Sequence, residues 1–279
     1  MNLHTAIAAH DELEHRVRTE NIDVCIISEA NKKLSEKKMK SDEGWIGDPE
    51  GNTAIWNTGR NKEMKIVDKD TKKGCTWVLL TGKLIIVSCY YSPRKELDAA
   101  FPRYVEGVDR VITNSRARHH IVAGDFNASA AEWGSNETDS RGVEIIEWAA
   151  GRDWDILNDG LRPTFLAGKK SSFIDVTMAT PGITREWKVN ETESHSDHQY
   201  VEFLVTIGNR TTEEPPANLP VSWKGKSLDR SRLLKALDER CRPLEETKAL
   251  VTDSQATTIL QEACTEASPK VSRGGGKPK

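Results

Sequence analysis

Two polar side chains follow an apolar run near the middle of the chain, in the stretch HHIVAGDFNASAAEWGS (residues 119–135). Asp125 and Asn127 are two residues apart, and in a strand such residues project on the same face. Carboxylate and amide oxygens suit Mg²⁺ or the positioning of a phosphate. Asp and Asn also begin turns, so this stretch alone is compatible with an ordinary loop as well as with a catalytic site.

Four more acidic or imidazole side chains lie at or near predicted strands. Glu29 follows the apolar run of NIDVCIISEAN, and Asp175 interrupts the alternating stretch SSFIDVTM. Asp197 and His198 stand side by side where another strand begins. Because an acid inside a strand is costly without a partner, the position of Asp175 favours a site carboxylate. One oxygen-rich centre would explain all these positions, and such ligands select Mg²⁺ or Mn²⁺ over zinc.

Phosphodiester hydrolysis is the reaction that this set of side chains predicts. A divalent metal would polarise a phosphoryl oxygen, and a histidine oriented by an acid would activate water. Asn or Tyr donors would stabilise the charge that develops. Tyr90 or Tyr91 could offer such a hydroxyl at the end of an apolar run, although packing is the commoner role for a tyrosine there.

The composition is that of a globular chain with a slightly acidic balance. Its 279 residues carry a formal net charge of -3, and the mean hydropathy is -0.59. No apolar run approaches the ~18 residues that a membrane span needs, so we expect no membrane partner. Five scattered cysteines without a CxxC pair favour a reducing, intracellular compartment over a zinc site or a disulfide framework. DNA binding would depend on local basic patches, for which residues 32–40, 116–118, 169–170 and 224–226 are candidates.

Apolar patterns predict strands that alternate with helices, which is typical of an α/β sandwich. Residues 32–75 are expected to form hairpins and loops. The chain is expected to divide into a domain over 1–208, a linker over 209–222, and a helical extension with a disordered tail over 223–279. Predicted helices in the domain cover 5–20, 97–114 and 141–150, and strands cover 24–27, 53–56, 64–67, 76–80, 84–89, 118–127, 155–158, 171–178 and 201–207.

Several motifs, taken in order, resemble the endonuclease/exonuclease/phosphatase superfamily: SEAN around Glu29, CYYSP, GDFN, SSFIDV and SDH. More narrowly, GDFNA followed by WGS, a Thr-Phe pair, SSxID and SDH resembles the apurinic-type endonuclease domain of non-LTR retrotransposon polyproteins, over about residues 2–206. The resemblance implies a four-layered α/β sandwich of two facing β-sheets flanked by helices, with the site at one end. The helical C-terminal extension would follow that domain.

The resemblance also implies which residues would hold the metal. Glu29 matches the chief metal ligand, and Asn2 matches an asparagine that helps to position metal and phosphate. Asp197 would be a second metal ligand or site acid. The implied cofactor is Mg²⁺, with Mn²⁺ as an alternative.

The remaining site residues would act on the phosphate and the attacking water. Tyr90 matches the phosphate-side tyrosine, and Asn127 would steady the phosphate. Asp125 would orient or activate water. His198, held by Asp175, would contact the scissile phosphate or serve as the base, and the sequence leaves open which of Asp125 and His198 takes the proton.

The sequence departs from the family pattern at three points. A first strand is expected before Asn2, so the chain is expected to be a fragment or a truncated copy. Ala130 stands where relatives often carry a histidine. Tyr90 is chosen over Tyr91 from its distance to the following proline.

The predicted function is a Mg²⁺-dependent DNA endonuclease that nicks target DNA for retrotransposon integration by target-primed reverse transcription. The expected partners are DNA and, through a reverse transcriptase region, a retrotransposon RNA–protein complex; residues 222–242 resemble the segment that leads towards such a region. The expected site of action is the nucleus. The alternatives are a catalytically impaired DNA-binding remnant and a phosphatase or lipid phosphodiesterase of the same superfamily.

Overall fold

The described part of this computed structural model comprises residues 1–41, 44–206, 230–247, 258–259, 262–264 and 266–267. The chain divides into two compact units, Met1–Gly208 and Asn209–Lys279. The linker predicted over 209–222 and the tail beyond 267 lie outside the described residues. Within the described part, no helix is long and apolar enough to cross a membrane.

Helices and strands alternate through the first unit, as an α/β fold requires. The helices are α1 Ile7–Thr19, α2 Lys32–Lys40, α3 Phe101–Ser115 and α4 Ser140–Arg152, and the second unit contains α5 Arg230–Thr247. The strands are β1 Val24–Ser28, β2 Trp45–Gly47, β3 Thr53–Asn57, β4 Ile66–Lys72, β5 Cys75–Leu80, β6 Leu84–Tyr90, β7 His119–Asp125, β8 Asp155–Ile156, β9 Phe165–Ala167, β10 Lys170–Ser172, β11 Asp175–Ala179, β12 Thr184–Val189 and β13 Val201–Val205.

The larger sheet has six strands in the order β4-β5-β6-β7-β11-β8. Its central strand β6 is buried on both faces, which explains its unbroken apolar sequence. β6 and β7 run parallel, with Tyr90 beside Asp125, and β7 pairs antiparallel with β11, with Asp125 beside Asp175. The register therefore places one tyrosine and two acids in a row where three neighbouring strands begin or end, at the same end of the sheet.

The smaller sheet has the order β1-β3-β2 and faces the larger one. The Ser28 hydroxyl donates to the Cys89 carbonyl at 3.0 Å, and the Ser88 hydroxyl donates to the Ile27 carbonyl at 2.7 Å. Asn2 pairs in parallel with Ser28, so it lies beside the end of β1 that leads into Glu29. Buried serine hydroxyl groups thus join the two sheets near the ends of β1 and β6.

Three apolar clusters separate four layers. The first lies between the larger sheet and helices α3 and α4, and includes Phe101, Ile112 and Ile145. The second lies between the smaller sheet and α1. The third joins the two sheets through residues such as Ile55 and Ile86. These layers are the α/β sandwich of facing sheets that the resemblance implied.

The structure corrects the expectation that residues 32–75 contain only hairpins and loops, because α2 occupies Lys32–Lys40. Asn31 caps this helix by accepting the Leu34 N–H at 3.3 Å. Its buried face is carried by Lys38, whose ammonium lies 4.6 Å from the Trp56 ring centroid and 5.4 Å from the Trp45 ring centroid. A charged residue in the buried position hides the helical pattern of hydrophobic residues.

Other elements differ from their predicted bounds or types. The strand predicted over 171–178 is divided between β10 and β11, and strands β9 and β12 form where no strand was predicted. Pro102 lies in the first turn of α3, where its missing N–H is harmless. Helix α4 continues through Gly151 and ends with Asp153 in the left-handed conformation.

Candidate active site

The end of strand β7 and the start of strand β11 bring two carboxylates together at one end of the larger sheet. Asp125 and Asp175 are direct partners across the antiparallel pair and are only 2% and 6% exposed. Gly124, just before Asp125, has φ 153°, and a Cβ there would lie 1.9 Å from the Cys89 carbonyl oxygen. A glycine is therefore required for β6 and β7 to approach each other beside the site.

His198 completes a buried triad with these two acids. Its Nδ1 lies 2.8 Å from Asp175 Oδ2, and its Nε2 lies 3.8 Å from Asp125 Oδ2. The edge of the Phe165 ring packs on the imidazole with the ring centroids 4.9 Å apart. The triad ligand atoms all lie within 4.8 Å of one another, so sequence reasoning selected three side chains that the fold brings together.

The pKa values of Asp125 and His198 are raised, whereas the pKa of Asp175 is lowered. Burial, and then repulsion from the Asp175 carboxylate, raises the pKa of Asp125 to about 7. Burial alone would lower the pKa of His198, but the Asp175 carboxylate outweighs it and the net shift is upward. Burial would likewise raise the pKa of Asp175, but attraction to His198 lowers it overall. The geometry therefore favours an Asp175–His198 ion pair beside a carboxyl group that titrates near neutral pH.

Asn2 connects this triad to Glu29. Its side-chain Nδ2 donates to Glu29 Oε2 at 2.8 Å and to Asp125 Oδ2 at 2.9 Å. The backbone N–H of His4 donates to Asn2 Oδ1 at 2.7 Å, which fixes the orientation of the amide. The hydroxyl of Tyr90 donates to Glu29 Oε1 at 2.7 Å. Three further predicted residues, Asn2, Glu29 and Tyr90, thus belong to one continuous hydrogen-bonded network with Asp125 of the triad.

Two site residues hold a left-handed backbone conformation that non-glycine residues rarely adopt. Glu29 has φ 45° and Asn127 has φ 47°. The N–H of Asn127 donates to Asp125 Oδ1 at 2.9 Å, and its side-chain amide donates to the Tyr91 carbonyl at 3.0 Å. Such strain persists only where surrounding contacts impose it, and it is common at functional sites.

Tyr91 belongs to an aromatic cluster with Phe101 and Tyr104. Its hydroxyl donates to the Leu97 carbonyl at 2.8 Å, and its ring packs on Phe101 and Tyr104 with centroids 4.9 Å apart in each pair. Tyr90, by contrast, contacts Glu29 directly. This geometry supports the choice of Tyr90 as the site tyrosine.

Asp197 and Ala130 lie outside the buried network. The Asp197 side chain is 43% exposed, and its Oδ2 lies 3.4 Å from Nδ1 of His4. Ala130 is fully buried beneath the loop that follows Asn127. Its methyl group can supply no polar group to the site.

Arg141 and His10 support the site but were not selected from the sequence. The buried Arg141 donates to the carbonyls of Ser92 (2.9 Å), Asn127 (3.3 Å) and Arg94 (3.0 Å). His10 Nε2 accepts the N–H of Asn31 behind Glu29. Both residues lie on helices among other polar residues, so spacing alone gives no sign of their roles.

The donor set fits a divalent cation. Glu29, Asp125 and Asp175 supply hard carboxylate oxygens, and repulsion between the two buried aspartates would be relieved by a positive charge. Glu29 is only partly buried, and both its oxygens already accept hydrogen bonds from neutral donors that leave its charge uncompensated. Glu29 would therefore hold the cation at the open side of the triad.

Comparisons with known proteins identify one family model and several solved structures that resemble this chain. Residues 84–202 match the model of a family described as endonuclease-reverse transcriptase. The endonuclease domain of TRAS1, a telomere-specific non-LTR retrotransposon, is similar at 25% identity with a TM-score of 0.62, covering 74% of this chain and 96% of that one. The 3′ phosphatase NExo from Neisseria, solved bound to a product DNA hairpin, shares the fold at 14% identity and a TM-score of 0.51, covering 74% and 97% of the two chains.

A comparison with curated protein sequences found no match. The residues matched by the family model include all three members of the triad. The chain therefore has the fold of the endonuclease/exonuclease/phosphatase superfamily and, within it, resembles the endonuclease domain of a non-LTR retrotransposon.

Proposed function

We propose that this chain is a divalent-metal-dependent DNA endonuclease that nicks target DNA for retrotransposon integration. The nick would leave a 3′ hydroxyl that primes reverse transcription. The observation that carries the proposal is the buried triad of Asp125, Asp175 and His198. The similarity to a retrotransposon endonuclease domain supports DNA, rather than a small phosphate ester, as the substrate.

The upward pKa shifts of Asp125 and His198 support a division of the proton-transfer roles between them. Asp125 titrates near neutral pH and can accept a proton from the attacking water. The Asp175 carboxylate raises the pKa of His198, and the protonated ring can donate its Nε2–H to an oxygen of the scissile phosphate. A metal held by Glu29 would polarise the phosphoryl oxygen when it is bound. We therefore propose Asp125, rather than His198, as the base.

The rest of the network would orient the substrate. Asn2 fixes Asp125 relative to Glu29, and Tyr90 and Asn127 offer a hydroxyl and an amide at the phosphate side. These preorganised donors would stabilise charge that develops on the phosphate. Asp197 and His4 would form the outer rim, where Asp197 remains available as a further site acid.

We also propose the biological setting that the retrotransposon similarity suggests. The enzyme would act in the nucleus on chromosomal DNA, with Mg²⁺ as its metal and Mn²⁺ as a substitute. A retrotransposon RNA–protein complex would be its partner, because the new 3′ hydroxyl must be handed to a reverse transcriptase.

Nicking of supercoiled plasmid tests this function. The expected result is conversion to the open circle with Mg²⁺, none with EDTA, and extension of the nick by a DNA polymerase, which requires a 3′ hydroxyl. DNA binding without any nicking would favour an impaired DNA-binding module. Phosphate release from inositol phosphates or hydrolysis of sphingomyelin, without nicking, would favour a phosphatase or lipid phosphodiesterase.

A further inference from the structure

Four exposed cations stand on the two chain segments next to Tyr90. Lys72 and Lys73 precede β5, and Arg94 and Lys95 follow β6. The start of β5 pairs with the end of β6, so both segments emerge at the end of the sheet where the triad lies. These four side chains, the Tyr90-side cations, are therefore on the same end of the molecule as the proposed cleavage site.

The backbone beneath these cations is firmly attached to the site. The Gly74 carbonyl accepts the Tyr90 N–H at 3.0 Å and the Tyr104 hydroxyl at 2.7 Å. The Arg94 carbonyl accepts Nη2 of the buried Arg141 at 3.0 Å. Both segments thus have fixed backbone positions relative to Tyr90, while the charged side chains project into solvent.

Within the described part of the chain, none of the Tyr90-side cations forms an ion pair. Arg94 makes one side-chain hydrogen bond, a 3.4 Å contact from Nε to the Ser92 hydroxyl. The nearby carboxylate of Asp98 is already bound by Arg141, with its Oδ1 2.7 Å from Nε. Four positive charges without an ion-pair partner in the described residues therefore stand at this end of the sheet, on a chain whose net charge is -3.

We propose that the Tyr90-side cations form a docking surface for the phosphate backbone of duplex DNA beside the cleaved phosphodiester. The inference rests on the proposed endonuclease function and names the part of the molecule that holds its substrate. The triad and Glu29 repel a polyanion, so attraction must come from cations at the site rim. Lys and Arg on exposed turns suit backbone contacts, which position the duplex without reading its sequence.

The salt dependence of DNA binding tests this surface. We would compare the full chain with the variant K72Q/K73Q/R94Q/K95Q, using a fluorescent duplex in EDTA, between about 50 and about 200 mM salt. Each lost phosphate contact reduces the slope of log K against log salt by about 0.9, so four contacts predict a reduction of about 3 to 4. At about 100 mM salt the affinity should fall on the order of 10²- to 10³-fold.

A control removes positive charge from the opposite end of the strands. The variant K62Q/K65Q/K83Q changes three exposed cations near the Leu80–Leu84 end of the sheet, none of which lies in a basic patch predicted from the sequence. Its salt slope should match that of the wild type. The pairs K72Q/K73Q and R94Q/K95Q should each lose about half of the effect, which guards against one misfolded variant.

The outcomes separate this inference from the proposed function. The docking surface alone would be overturned if the wild type nicks DNA and the quadruple variant keeps the wild-type affinity and salt slope of DNA binding. Equal losses in the quadruple variant and the control would show a general charge effect and would also overturn it. Wild-type protein that neither binds nor nicks duplex DNA would overturn both proposals.

Discussion

His10 is a buried histidine whose protonation should destabilise the protein and loosen the support of Glu29. Its ring is 1% exposed, and its Nε2 accepts the Asn31 N–H at 2.8 Å. Burial, and then repulsion from Lys38, lowers the pKa of His10 from 6.5 to about 4. A protonated ring could not accept that hydrogen bond, which joins α1 to the segment just after Glu29.

The direction of the pH effect on stability follows from the different affinity of the folded and unfolded chain for a proton on His10. The unfolded chain takes up a proton on His10 as the pH falls below 6.5, whereas the folded protein resists protonation until about pH 4. The contribution of His10 to stability is therefore complete above pH 6.5 and is lost as the pH falls. The gap between 6.5 and about 4 corresponds to about 3 kcal/mol in the free energy of unfolding.

Urea unfolding in EDTA, followed by tryptophan fluorescence, measures this loss. Gln at position 10 can still accept a hydrogen bond but cannot titrate, so the wild-type advantage over H10Q should shrink by about 2 to 3 kcal/mol between about pH 7 and about pH 4.5. The exposed His15 on the same helix supplies the control, and H15Q should keep the wild-type pH dependence. Parallel pH curves for wild type and H10Q would refute the reasoning.

Two further substitutions test how the site is oriented and packed. Asp175→Asn should reduce nicking by about 10³- to 10⁴-fold while the circular dichroism spectrum is unchanged, because the amide cannot hold the protonated His198; a loss below about tenfold would contradict the orienting role. Gly142→Ala should cost about 2 to 4 kcal/mol in urea unfolding, because its Cβ would lie 2.0 Å from the Ser129 carbonyl oxygen. Gly151→Ala, in the same helix with no atom within 4 Å of its Cβ, should be neutral or stabilise by up to about 1 kcal/mol, and equal losses in both variants would contradict the packing argument.

The triad could be predicted from sequence because each member stands where a locally recognisable strand begins or ends. Asp125 ends an apolar run, Asp175 starts an alternating strand, and His198 precedes another. Strand register then brings these ends to one edge, since Asp125 and Asp175 are direct partners. The local patterns were sufficient to select these three residues, whereas the pairing of His198 with Asp175 was implied by the family resemblance.

The supporting contacts could not be predicted because they depend on tertiary partners far apart in the chain. The Asn2 to Asp125 hydrogen bond spans 123 residues, and Arg141 reaches carbonyls 47 and 49 residues away. Helix α2 was missed because its buried position is a lysine stacked against Trp45 and Trp56. Hydrophobic periodicity reports none of these interactions.

The most direct test of the central claim is plasmid nicking by wild type, Asp125→Asn and His198→Ala at matched DNA binding. With Mg²⁺, the wild type should convert supercoiled plasmid to the open circle, and each variant should nick on the order of 10³-fold more slowly while still binding DNA. The nicking rate of the double variant should lie within about tenfold of the rate of either single variant, because the two residues act on the same step. Undiminished nicking by both single variants would contradict the assignment of the buried triad as the catalytic centre.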